Sequence, residues 1–146
     1  MILSAVNTNI MSNVVEVVVA DINLATMSRS IKTAELDKVL EGKGPFTIFA
    51  PSDLAFGKLQ SGRLEGLLKT ENREKLAELL NHHIVEGLIN FKDLKDKQKL
   101  VTANGRELTV KVVDGKVAVN GATLQRRDNI GSNGIVHSLD TVIEMR

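Results

Sequence analysis

The chain has 146 residues, enough for one domain with a real core. Lysine and arginine total 19 against 18 aspartates and glutamates, so there is no electrostatic footprint for nucleic acid. Cysteine, tryptophan and tyrosine are absent, which excludes disulfides and thiolate–zinc sites and removes the usual stacking platforms for sugars and single strands.

Residues 1–11, MILSAVNTNIM, lack the basic region and apolar core of a signal peptide. They are read as an N-terminal extension, flexible or added, ahead of a single domain over 12–146. No apolar run is long enough to span a bilayer. In NVVEVVVADI the valines favour a strand by propensity, but Val15, Val18, Val19 and Ile22 fall at i, i+3, i+4, i+7, one face of a helix. Asn13 and Glu16 have capping-box spacing. Leu24, Met27 and Ile31 continue a helical period, and Leu36, Val39 and Leu40 begin another that Gly42 and Gly44 stop.

In GPFTIFAPSDLAFGKL, Phe46, Ile48 and Ala50 alternate with Thr47 and Phe49, which predicts a short buried strand. Pro51 lacks an amide hydrogen and ends it. Ser52 and Asp53 are N-cap candidates for the helical turn that follows, and the APSD serine lacks the setting of a nucleophile elbow. The glycines of EGKGPF lead into a strand, not a helix, and do not form a phosphate loop.

ENREKLAELLNHH is the clearest helix. Leu76, Leu79, Leu80 and His83 share its apolar face, whereas Lys75, Glu78 and His82 share the charged one. His82 is therefore expected at the solvent surface and His83 inside. Beyond Val85 the pattern turns to strands. FKDLKDKQK reads as a short charged helix, and KLVTA, ELTVKVV and KVAVN read as hairpin strands. Asp114-Gly115 and Asn120-Gly121 form the turns, and Ser132 to Gly134 form another before IVHSLDTVIEM. Helices first and strands later indicate an α+β domain. There is no internal repeat or linker.

Taken together, FTIFAPSDLAF, LLNHHIVEG and NGIVHSLDTVIEM resemble, in order and spacing, the three recurring blocks of the fasciclin domain family. NVVEVVVADINLATM resembles its first helix, and VKVVDGKVAVNGATL its hairpin region. The resemblance runs from about Ser12 to Met145. It implies a wedge of two β-sheets with several helices packed around the N-terminal part. Asp53, His83, Asn133, Gly134 and His137 match recurring family residues, read as structural. His82 stands where the family usually has tyrosine. An aspartate-isoleucine pair linked to integrin recognition in animal members is broken here by Asn129, so integrin binding is not carried over.

The function implied is a non-enzymatic cell-adhesion or extracellular-matrix-type binding module, at the cell surface or outside the cell. Its partner would be a surface or matrix protein or a glycan. No cofactor, metal or catalytic group is called for. The absence of a signal peptide leaves the cytoplasm open. Arg126, Arg127 and Asp128 form the candidate binding loop. A single domain without an anchor must bridge two things through weak homo-oligomerisation, two faces or a partner that holds it. Two other classes compete. One is a soluble carrier or intracellular binding protein for a small apolar ligand or partner protein. The other is a hydrolase or metal enzyme built on His83 and His137, which would need more ligands than two histidines.

Overall fold

The computed structural model describes residues 12–144; the extension read over 1–11 lies outside them. Among the described residues there are six short α-helices and eight strands. The helices are α1 (Val14–Ala20), α2 (Ala25–Thr33), α3 (Asp37–Leu40), α4 (Asp53–Gly57), α5 (Arg63–Leu67) and α6 (Arg73–Asn81). The strands are β1 (Phe46–Pro51), β2 (Ile84–Glu86), β3 (Lys99–Val101), β4 (Glu107–Val113), β5 (Lys116–Val119), β6 (Ala122–Thr123), β7 (Asn129–Gly131) and β8 (Gly134–Leu139). One sheet runs β2-β1-β8-β7 and the other β3-β4-β5-β6. β1 and β8 are parallel; every other pair is antiparallel. Two single bridges, Val85–Thr102 and Leu124–Leu139, stitch the sheets together. The α+β wedge with helices around its N-terminal part is the expected architecture.

The first sheet is a middle layer, which explains its continuous apolar runs. Ile48, Ala50 and Val136 face a helical core with Val14, Val18, Met27, Ile31, Leu76 and Leu80. Phe49 and Leu139 join the core of the wedge with Leu108, Val110, Val117 and Val119. The Asn13–Glu16 capping box forms. The first helix buries a different face from the one expected. Val14, Val15 and Val18 are inside; Val19 lies off that buried face, and Ile22 is exposed because the helix ends at Ala20 and the chain turns at Asp21. Val39 is also exposed, since α3 spans only four residues. Asp114 and Gly115, at φ 52° and 79°, make the turn expected between β4 and β5. FKDLKDKQK keeps one short 3₁₀ turn, Phe91–Asp93.

Candidate functional site

The family-motif residues sit at junctions between elements. Asn133 occupies the β7–β8 turn and reaches three segments. Its Oδ1 accepts from the Val14 amide at 2.9 Å, at the open N-terminus of α1. Its Nδ2 donates to the Leu40 and Gly42 carbonyls at 2.6 and 2.7 Å, at the end of α3. One side chain thus ties two helix ends to the sheet. Next to it, Gly134 lies against β1 so closely that a Cβ would stand 2.1 Å from the Phe46 oxygen. Only glycine permits that approach.

Ser52 and Asp53 divide the capping work. The Ser52 hydroxyl accepts from the Ala55 amide and caps its own helix, α4. Asp53 instead reaches across to α2, where its Oδ1 accepts from the Thr26 amide at 2.8 Å. The residue at the N-cap of α2, Leu24, has no side chain able to do this.

His83 and His137 are buried and use both ring nitrogens. The Ile143 amide donates to Nε2 of His83 at 2.9 Å, so Nδ1 carries the proton and donates to the Leu79 carbonyl at 2.8 Å. The ring ties the end of α6 to the chain after β8. His137 takes the opposite tautomer. The Asp128 amide donates to its Nδ1 at 3.1 Å, and Nε2 donates to the Ile89 carbonyl at 2.8 Å. Burial lowers both pKa values, that of His83 to about 4, so both rings are neutral at pH 7. Phe49 stands between them: its amide donates to the His83 carbonyl, and its ring stacks on His137 at 5.6 Å. The two imidazoles serve different segments and do not converge on a common point. Among the described residues, no group of three or more histidine, aspartate or glutamate side chains could hold a metal ion.

His82 departs from expectation: it is buried, not solvated, with 3% exposure. The helix stops at Asn81, and the chain bends inward at His82 towards β2. The bend brings the ring near Asn104, whose Oδ1 lies 3.4 Å from Nδ1. Desolvation lowers its pKa as well. Helical periodicity cannot place a residue beyond the helix end.

His82 borders an open cleft of about 760 Å³ with Arg106, Glu107, Asn120, Thr141 and Glu144. Val142 and Ile143 also line it, so the cleft mixes charged, polar and apolar surface and is not the mainly apolar cavity typical of a carrier of apolar molecules.

Arg126, Arg127 and Asp128 form an exposed loop whose backbone is fastened at both ends. The Arg126 amide donates to the Ser138 hydroxyl, and the Ser138 amide to the Arg126 carbonyl. Asp128, at φ 59°, accepts from the Phe91 amide at 2.9 Å and donates its own amide to His137. The Arg127 guanidinium lies 3.7 Å from the centre of the Phe91 ring, a cation–π contact. Arg126 reaches Asp21 at 3.6 Å and stays largely exposed. Ser138 and Phe91 hold this loop and were not identifiable as its supports before the fold was known, since neither is near it in sequence.

Comparison with known proteins bears on the family and the fold. Protein sll1483 of Synechocystis sp. is 38% identical over 142 residues, spanning 97% of this chain and 78% of that protein. Human stabilin-1 is 35% identical over 117 residues, 77% of this chain but 4% of stabilin-1. A fasciclin domain pair from the insect cell adhesion molecule fasciclin I superposes with a TM-score of 0.82 at 18% identity, covering 92% of this chain and 51% of that one. The fasciclin domain model itself matches residues 22–145, a span that holds Asp53, His83, Asn133, Gly134 and His137 alike. Three junction-forming blocks, a two-sheet wedge and that match lead to one assignment: the chain belongs to the fasciclin domain family.

Proposed function

We propose that this chain is a non-enzymatic adhesion or matrix-type binding module that works at the cell surface or outside the cell. The observation that carries the reading is the fastened loop Arg126–Asp128, which presents an exposed arginine on backbone held by Ser138, Phe91 and His137. A held loop loses little entropy on binding, and arginine is a frequent anchor at interfaces. The insect relative of similar fold, described as a cell adhesion molecule, supports it. The histidines support it as well, because both nitrogens of His83 and of His137 are committed to backbone partners. The partner is a surface or matrix protein or a glycan, and residues 12–146 act as the binding unit.

Two measurements test this. Surface labelling of intact native cells is expected to mark the protein. Plates coated with it are expected to retain native cells or matrix above an albumin-coated control. Arg126→Ala combined with Arg127→Ala is expected to lower retention several-fold while leaving the melt unchanged. A protected protein, or a coat that retains nothing, would overturn the reading.

A further inference from the structure

The second sheet carries a row of three lysines on its outer face. Its inner face is given over to the wedge core by Leu100, Leu108, Val110, Val117 and Val119. Strand alternation therefore turns Lys99, Lys111 and Lys116 outward, and all three are exposed. Register places them on one line. Lys99 pairs with Thr109, two residues before Lys111 on β4. Lys111 pairs with Ala118, two residues after Lys116 on β5. Each step thus moves one strand across and two residues along in the same sense. Diagonal neighbours of this kind lie about 7–8 Å apart, so the row is about 15 Å long.

Outward positions on an antiparallel sheet are ordinarily polar, and lysines there are ordinarily solvated. Two features set this face apart. The row has one sign and is unpaired: among the described residues none of the three ammonium groups has a carboxylate partner. Lys99 instead donates to the Thr109 hydroxyl at 2.9 Å, which holds its charge over the sheet. Glu107, the only carboxylate at an outward position of β3, β4 or β5, is a diagonal neighbour of Lys99 at the end of the row away from Lys116, and makes no ion pair with it. The floor between the lysines is made of Thr109, Ala118 and Val113, none of them charged.

We infer that this face binds a linear acidic polysaccharide, with Lys99, Lys111 and Lys116 each meeting an anionic group along the chain. The inference rests on the reading of the protein as an adhesion-type module and names the class of one partner. A straight row of like charges over an uncharged floor suits an extended polyanion. Lysine suits it too, as a point charge on a flexible stem that adjusts to the spacing of successive groups. An anionic membrane fits less well. Membrane-binding basic clusters hold about 4–8 cationic residues, and this row has three and no aromatic wedge. Nucleic acid fits less well again, because the face has no aromatic side chain for stacking and the chain has no excess of charge.

The test uses the full chain and polygalacturonate, with neutral dextran as control, at low and physiological salt. The wild-type protein is expected to bind polygalacturonate and not dextran, and to bind more weakly as salt rises. The triple variant Lys99→Gln, Lys111→Gln, Lys116→Gln is expected to bind at least tenfold more weakly. A matched triple on the helices, Lys32→Gln, Lys38→Gln, Lys75→Gln, removes the same charge and is expected to change binding less than twofold. Equal losses in both triples would overturn the inference, since binding would then follow net charge alone. Binding to phosphatidylserine-rich vesicles but not to polygalacturonate would overturn it in favour of a membrane. Failure on polygalacturonate with cell retention intact would sink this inference and leave the adhesion reading standing.

Discussion

At the scale of the residue, the buried histidines behave as bifunctional backbone ties. Each neutral ring has one donor and one acceptor, and each meets one carbonyl and one amide. Protonation would set a ring N–H against a backbone N–H, which explains why the neutral form is favoured. His83→Ala leaves the Ile143 amide without its acceptor and leaves the Leu79 carbonyl with the His82 amide alone, and is expected to cost about 1–3 kcal/mol in a urea melt at pH 7.5. The effect has a definite pH window. The unfolded imidazole titrates near 6.5 and the folded His83 near 4. Above 6.5 neither state takes a proton, so the full stability is present. Between 6.5 and 4 the unfolded state takes a proton that the folded state refuses, and stability falls as pH falls. Below 4 both states are protonated and the loss stops, after a total on the order of 3 kcal/mol. His137 and His82 shift in the same direction and add to the loss below 6.5. Melts from pH 7.5 downward are therefore expected to show the wild type approaching His83→Ala. A gap that stays constant with pH would contradict the neutral assignment.

At the scale of the element, the fold closes helix ends with side chains from distant segments. α2 takes its cap from Asp53, 27 residues away from Thr26, and α1 takes one from Asn133. Asp53 also lies in the first turn of its own helix, where a carboxylate favours the dipole. Asp53→Ala is expected to cost about 1–2 kcal/mol and Ser52→Ala about 1 kcal/mol, read as shifts in the urea midpoint with unchanged slope. Asp53→Asn keeps an acceptor for Thr26 and is expected to recover much of the loss. If Asn and Ala variants melted alike, the trans cap would carry no energy.

At the scale of the whole molecule, the first sheet joins the strand that follows the first three helices to the last strand. Its central pair, β1 with β8, brings Phe46 against Gly134 and Pro51 against Leu139. The candidate loop sits beside that sheet through Ser138 and His137, while the lysine row lies on the outer face of the other sheet. The two proposed faces are separate, as the proposed adhesion module would need in order to bridge two things. We propose that weak self-association adds avidity to both. Sedimentation at rising concentration is expected to show a rising mean mass. A strict monomer at the highest concentration would leave bridging to the two faces alone.

The sequence by itself determined the α+β class, the capping box at Asn13, the buried strand at Phe46–Pro51 and the Asp114–Gly115 hairpin. The capping box and the hairpin rest on interactions between residues near in sequence, and the strand shows in its local apolar pattern, so spacing carries the signal. The family blocks, and with them Asp53, His83, Asn133, Gly134 and His137, were also legible as a pattern. What each of those side chains touches was not. Asn133 meets Val14 across 119 residues, and His83 meets Ile143 across 60. The inward turn of His82, the exposure of Val19 and Ile22, and the line formed by Lys99, Lys111 and Lys116 were equally hidden. Periodicity reports which face of an element is apolar while that element lasts. Where it stops, which strands become neighbours and in what register are decided by packing the whole chain, and only the tertiary structure supplies that.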